Sequence, residues 1–179
     1  FFYVTRDRRT TIYMDKTIDN NQASLSGKII SPFRFSHEVF GEGFYLFDLS
    51  VGRLSDSYDI IPVMASERLL DIHADQIGKY AEINGQFRSY NYHTENKNRL
   101  LLSVFAREVT LSDEEPASLK PNSIFLDGYV CKKPVYRKTP LGREIADVLL
   151  AVNRPYGKSD YIPCICWGRN ARFADSFSV

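Results

Sequence analysis

The chain contains the stretch Val51-Gly-Arg-Leu-Ser-Asp-Ser-Tyr-Asp-Ile-Ile-Pro62 and, 101 residues later, the stretch Val152-Asn-Arg-Pro-Tyr-Gly-Lys-Ser-Asp-Tyr-Ile-Pro163. The two stretches share Val, Arg, Asp, Ile and Pro at equivalent places. Apolar and polar residues alternate on both sides of a polar, turn-forming centre, which is typical of two strands joined by a turn. A strand pair that occurs twice at one spacing indicates a duplicated β-rich module.

The same offset of 101 relates further residues outside these stretches. It aligns Asn21 with Asn122, Leu25 with Leu126, Gly27 with Gly128, Gly41 with Gly142, and Arg68 with Arg169. Matches in one order at one fixed offset indicate an internal repeat.

The repeat predicts how the chain is divided. Residues 1–19 form an N-terminal extension, residues 20–109 a first module, residues 110–121 an acidic linker with two prolines, and residues 122–179 a second module. The second module has fifty-eight residues. It is therefore expected to stop about two strands short of the first.

The first module predicts an all-β fold with a short helix. Strands are expected over residues 22–30, 43–54, 58–65, 79–91 and 99–110, with a helix opening after Ser66 and ending near Gly78. Three strands, a helix and two strands is the order of the OB-fold, a five-stranded Greek-key barrel. The sequence thus predicts two tandem OB-folds, the second truncated. The helix disfavours an SH3-like barrel or a sandwich. Gly27, Gly85 and Gly128 are expected at sharp bends in barrel strands.

Charge and cysteine content narrow the functional classes. The net charge is +1, but residues 122–179 carry nine Lys and Arg against five Asp and Glu. A polyanion partner is therefore expected at the second module. The three cysteines, Cys131, Cys164 and Cys166, form a sparse and odd set that favours reduced thiols and a cytoplasmic protein. No apolar run is long enough to span a membrane.

The sequence offers no pattern for catalysis. The histidines are scattered, and Cys164 and Cys166 lack a second pair of metal ligands. We find neither a phosphate-binding glycine loop nor a nucleophile elbow. The expectation is a protein without enzymatic activity, metal or cofactor.

Aromatic and basic residues are interleaved in the second module. Stacking side chains alternating with cations are typical of single-stranded nucleic-acid binding. Tyr161 and Trp167 are six residues apart, so one face of a strand presents both. The candidate residues here are Arg137, Lys138, Arg154, Tyr156, Lys158, Tyr161, Trp167, Arg169 and Arg172.

Two stretches resemble the bacterial single-stranded DNA-binding protein family. Residues 139–156 and Asp160-Tyr-Ile-Pro-Cys-Ile-Cys-Trp-Gly-Arg169 resemble the second and third strands of that family, whose stacking aromatics fall here on Tyr156, Tyr161 and Trp167. In the first module, Ile83-Asn-Gly-Gln-Phe-Arg-Ser-Tyr-Asn-Tyr92 resembles its fourth strand. Tyr92 matches the stacking aromatic of that hairpin, which also contributes Arg88 and Tyr90.

This resemblance implies non-sequence-specific binding of single-stranded DNA in replication, repair or recombination, in a cytoplasmic, nucleoid-associated protein. It also implies a working unit of four OB-folds, which two copies of this chain would supply as a homodimer. The first module departs from the family pattern. At the offset of 101, Ser55, Ile60 and Ser66 occupy the positions of the three stacking aromatics. Two alternatives stay open: RNA binding by the same surface, and a first module that serves protein interaction or assembly.

Overall fold

A computed structural model of the chain describes residues 20–53, 55–94, 97–117 and 121–177, apart from the side chains of residues 92–94 and 97–98. The predicted N-terminal extension, residues 1–19, lies outside the described residues. The described part forms two compact units. One comprises Asn21–Phe125, and the other comprises Asn20 with the described residues from Leu126 onward.

The first unit is built from strands β1 (Asn21–Ile29), β2 (Arg34–Val39), β3 (Glu42–Gly52), β4 (Tyr58–Ser66), β5 (Tyr80–Thr94) and β6 (Lys97–Ser112). The strand order is β2-β3-β4-β6-β5-β1, and an additional pairing of β3 with β1 closes the sheet. Only the β4–β6 pairing is parallel among the pairings described here. This is the predicted OB-fold barrel, with β2 as an additional hairpin strand that the sequence did not predict.

Gly27 allows β1 to pair with two neighbours. Lys28 and Ile29 pair with Ser50 and Leu49 of β3, while the preceding residues pair with β5. A Cβ on Gly27 would lie 2.3 Å from the carbonyl oxygen of Ser50. Only a residue without a side chain lets the two strands approach this closely.

The barrel interior is filled by one face of each strand. Phe47, Leu49 and Val51 alternate along β3, and Val63, Ile83 and Val104 meet them from neighbouring strands. These side chains are at most 1% exposed. The predicted alternation over residues 43–54 is thus the inner face of β3.

The helix predicted after Ser66 is wrong, because the segment from Glu67 to Lys79 consists of turns. Asp71 accepts a hydrogen bond from the backbone N–H of His73 at 3.1 Å, and Asp75 accepts one from Ile77 at 3.0 Å. Such local bonds replace the backbone bonds of a helix.

The second unit contains β8 (Tyr129–Val130), β9 (Val135–Lys138), β10 (Glu144–Asn153), β11 (Ser159–Trp167) and the helix α1 (Arg169–Asp175). Its sheet has the order β11-β10-β8, and β9 also pairs with β10. Gly128 repeats the role of Gly27, since its Cβ would lie 2.4 Å from the Ala151 carbonyl oxygen.

The strand β7 (Asn122–Leu126) connects the two modules in sequence. The repeat makes it the counterpart of β1, and it lies next to β1 in the first sheet. Strand β6 continues to Ser112, so three residues of the predicted linker belong to a strand.

Candidate nucleic-acid interface

The β10–β11 hairpin has a buried and an exposed face. Its register runs without interruption from Ile145 opposite Trp167 to Asn153 opposite Ser159. Ala146, Val148, Cys164 and Cys166 face α1, where Ala171 and Ala174 complete a small core. The opposite face we call the aromatic face. It consists of Tyr129, Val135, Arg137, Ile145, Asp147, Leu149, Ala151, Tyr161, Pro163, Ile165 and Trp167.

Two tyrosines share one row of the aromatic face. Ala151 lies opposite Tyr161 on β11 and opposite Tyr129 on β8. Directly paired residues project to the same side of a sheet. Tyr129 is 71% exposed and Tyr161 is 47% exposed, so both rings are accessible.

Tyr129 is not among the site residues predicted from the sequence. Its position in the repeat corresponds to Lys28, and the family resemblance does not mark it. The close approach of Gly128 to Ala151 brings Tyr129 beside Ala151. Its position became evident only from the strand register.

Trp167 lies at the other end of the same face. It pairs with Ile145, which in turn pairs with Arg137 of β9. Trp167 is 53% exposed, whereas Ile145 between its two neighbours is 4% exposed. About half of the Trp167 side chain is therefore accessible to solvent, beside a buried aliphatic residue.

Tyr156 lies in the connection between β10 and β11. Pro155–Gly157 form one turn of 3-10 helix, in which Tyr156 has φ 66° and ψ 31°. This left-handed conformation is uncommon for a residue other than Gly, Asn or Asp. The side chain is fully exposed.

Several predicted cations are held by carboxylates. Arg137 donates from Nε to Asp147 at 2.9 Å, and Arg172 lies 3.2 Å from Glu144. Arg154 forms an ion pair with Asp160. Lys138, Lys158 and Arg169 are exposed. Of these cations, Arg137 shares the aromatic face, while Arg169 and Arg172 belong to α1.

Glu144 also accepts a hydrogen bond from the hydroxyl group of Tyr136 at 2.7 Å. This bond raises the pKa of Tyr136 above its ordinary value. Glu144 therefore ties β9 to α1 through Tyr136 and Arg172.

This region of the chain is also the part that matches a known family. Residues 121–177 match the model of the single-strand binding protein family. The dimeric N-terminal domain of PriB protein from Thermoanaerobacter tencongensis has 41% sequence identity, covering 54% of this chain and 100% of that chain with a TM-score of 0.47. The chain belongs to the single-strand binding protein family. This family consists of non-enzymatic DNA-binding proteins.

Other solved structures share the fold of this single-strand binding family chain. The single-stranded DNA binding protein from Thermus aquaticus has 15% identity and a TM-score of 0.68, covering 88% of this chain and 78% of that chain. A deletion mutant of the same protein has 17% identity and a TM-score of 0.65, covering 88% and 80%. No curated protein sequence matches the chain.

The remaining predicted site residues of this family member lie on β5 of the other unit. The Arg88 guanidinium lies 5.5 Å from the ring centroid of Phe105, and it bonds to Gln86. Tyr90 is 37% exposed. The backbone of Tyr92 pairs with Arg99, while the Tyr92 side chain lies outside the described residues.

The first barrel lacks the aromatic set of the second, as the offset predicts. Ser55 and Ile60 are exposed, whereas Ser66 is buried and bonded to Glu42. The barrel instead exposes other rings that sequence reasoning missed, among them Phe35, Phe40 and Tyr58. Phe35 and Phe40 belong to the hairpin of β2 and β3, and β2 was not predicted from the sequence.

The cysteine pair of this family member lies on the buried face of β11. Burial and the neighbouring Cys166 raise the pKa of Cys164 to about 11. The Cys164 thiol is therefore protonated at neutral pH, which is unfavourable for a nucleophile or metal ligand. Across the described residues, no three His, Cys, Asp or Glu side chains form a group that could hold a metal ion. No helix of the described part is long and apolar enough to cross a membrane.

Proposed function

We propose that this chain binds single-stranded DNA through the aromatic face of its second module, in replication, repair or recombination. One observation carries this proposal: Tyr129, Tyr161 and Trp167 are exposed on one side of a single sheet, and Tyr156 is exposed at its end. The same region matches the family model. Four accessible rings on a rigid support fit the stacking platforms that single strands require.

The spacing of the rings fits several successive bases. Tyr161 and Trp167 are six residues apart on β11, which separates them by about 20 Å at the usual rise of a strand. One nucleotide cannot reach both rings. The bound strand therefore follows β11, and its bases stack in turn on separate side chains. Stacking accepts every base, so sequence preference is expected to be weak.

Exposed cations at the ends of the strands supply the contacts to phosphates, since Lys138 ends β9, Lys158 lies between β10 and β11, and Arg169 begins α1. Lys138, Lys158 and Arg169 are exposed, whereas Arg137 and Arg172 already pair with carboxylates. We therefore assign the phosphate contacts to the first three. Three neutralised phosphates give a slope of about −2 in log K against log salt.

The test is a titration of the intact chain with oligo-dT at several salt concentrations. Trp167 is the only tryptophan in the sequence, so quenching of its fluorescence reports stacking on the aromatic face. Trp167→Ala, followed by anisotropy of a labelled oligonucleotide, is expected to weaken binding by about 5- to 150-fold. Absence of quenching, together with binding that salt does not weaken, would contradict the proposal. Competition between oligo-dT and oligo-U decides between DNA and RNA.

A second role, protein interaction through the first barrel, is favoured by Phe35 and Phe40, which are 62% exposed and fully exposed. Large exposed aromatic residues mark interaction surfaces when they cluster, and Phe35 contacts Tyr45 at 5.6 Å between ring centroids. Phe35→Ser with Phe40→Ser is expected to lower the molecular mass in sedimentation without changing oligo-dT affinity. If the molecular mass of this variant stays constant, the first barrel does not serve protein interaction through these residues. The same measurement on the unaltered chain tests the expected homodimer.

A further inference from the structure

The connection between β10 and β11 is closed by Arg154. Its backbone N–H donates to the carbonyl oxygen of Lys158 at 2.7 Å. Its guanidinium donates two hydrogen bonds to the carboxylate of Asp160. The Asp160 side chain is fully buried and only 18% of the Arg154 side chain is exposed. A bidentate guanidinium–carboxylate pair fixes both position and orientation. We call this pair the Arg154–Asp160 clip.

The first barrel contains the same hydrogen bonds 101 residues earlier, in a pair that is more exposed, at 58% for the Arg53 side chain and 36% for that of Asp59. Arg53 bonds to Asp59 with both Nε and Nη2, and its backbone N–H donates to Ser57 at 2.9 Å. The connection enclosed there carries Ser55 where the second module has Tyr156. The pair is thus present in a connection without an aromatic ring, so its geometry belongs to the connection itself and does not depend on a stacking residue.

Tyr156 needs such a support. A non-glycine residue with positive φ persists only where its surroundings determine the backbone. The Tyr156 ring is fully exposed, so packing of the ring does not fix it. Instead, the two ends of the turn are fixed. The Arg154–Asp160 clip and the backbone hydrogen bond from Arg154 to Lys158 join them.

We propose that Arg154 and Asp160 are positioning residues, which hold Tyr156 at the end of the aromatic face for stacking, and that Arg154 makes no phosphate contact. This inference rests on the proposed binding of single-stranded DNA. It replaces the direct contact that the sequence predicts for Arg154. A guanidinium held by a fully buried carboxylate would have to leave that partner to reach a phosphate, and the uncompensated buried charge makes this costly.

Two substitutions separate the two roles. Arg154→Lys keeps the positive charge but loses the bidentate geometry. Asp160→Asn keeps the shape and removes the competing negative charge. If Arg154 positions Tyr156, both variants weaken oligo-dT binding toward the level of Tyr156→Ala, which is about 5- to 150-fold below the unaltered chain. The salt slope stays unchanged, because no phosphate contact is lost.

A phosphate contact predicts the opposite pattern. Arg154→Lys would then bind nearly as the unaltered chain does, and Asp160→Asn would bind more tightly with a steeper salt slope. Either result overturns the proposal. Asp59→Asn is the matched control in the first barrel, and it is expected to leave affinity unchanged. Should Asp160→Asn fail to fold in circular dichroism, Arg154→Lys alone decides between the two patterns.

A double-mutant cycle separates positioning from a general structural defect. In a Tyr156→Ala background, Arg154→Lys is expected to weaken binding by no more than about twofold, because the ring it positions is gone. An equal loss with and without Tyr156 would overturn the proposal. Absence of oligo-dT binding by the unaltered chain would refute the proposed function itself. Binding that Tyr156→Ala does not weaken would refute only this inference.

Discussion

The two tyrosines that flank Ala151 allow a quantitative test of the aromatic face. The perturbation is Tyr129→Ala and Tyr161→Ala, singly and combined. Each tyrosine is on a strand adjacent to β10, on opposite sides of it. Neighbouring strands are about 4.8 Å apart, so the two side chains begin about 10 Å apart. We expect rings at this distance to stack on two different bases.

The expected magnitude follows from that separation. Removing one stacking ring costs about 1–3 kcal/mol, which corresponds to about a 5- to 150-fold rise in Kd. Effects at sites about 10 Å apart add to within about 0.5 kcal/mol. The double variant is therefore expected to lose about 2–6 kcal/mol. Neither substitution removes a charge, so the salt slope stays constant.

The assay is the oligo-dT titration, with Trp167 retained in every variant as the fluorescent reporter. Tyr129→Phe and Tyr161→Phe keep the rings and serve as controls that bind nearly as tightly as the unaltered chain. Stacking on both tyrosines is ruled out if the double variant binds no more weakly than the single variant with the lower affinity. It is also ruled out if Tyr129→Ala has no effect while the protein remains folded.

Three further predictions concern stability. Gly128→Ala places a Cβ 2.4 Å from the Ala151 carbonyl oxygen, so the free energy of unfolding in urea should fall by about 1–3 kcal/mol; an unchanged midpoint would contradict this. Tyr156→Asn relieves the left-handed strain and should raise that free energy by about 1 kcal/mol, while weakening oligo-dT binding. Burial raises the pKa of Cys164 from 9.0 to about 11. The thiol of the unfolded chain therefore ionises at lower pH than the folded one. Stability is unaffected below pH 9 and falls as pH rises toward 11. Thermal melts at each pH should show a smaller decline for Cys164→Ala.

Much of the first barrel was predictable because its strands follow simple local rules. The alternation of Phe47, Leu49 and Val51 predicted the inner face of β3, and Gly27 lies where β1 closely approaches β3. The helix after Ser66 was mispredicted because the helical spacing of apolar residues takes no account of Asp71 and Asp75. Their side chains bond to the backbone two residues later.

The candidate site was only partly predictable. Tyr161 and Trp167 share a face because they lie on one strand at an even separation. The role of Arg154 was different, since its charge suggested a phosphate contact. The structure instead pairs it with Asp160 across the hairpin. Interleaved charges in a sequence do not reveal which cations already have a carboxylate partner.

The duplicated module, the five barrel strands and the region that carries aromatic side chains and positive charge could be predicted from the sequence. These properties depend on residue types and on spacings along the chain. Tyr129 and Tyr161 lie beside Ala151, and Trp167 pairs with Ile145, only because of the three-dimensional fold. Those neighbours are distant in sequence, and strand register, which follows from long-range packing, brings them onto one surface.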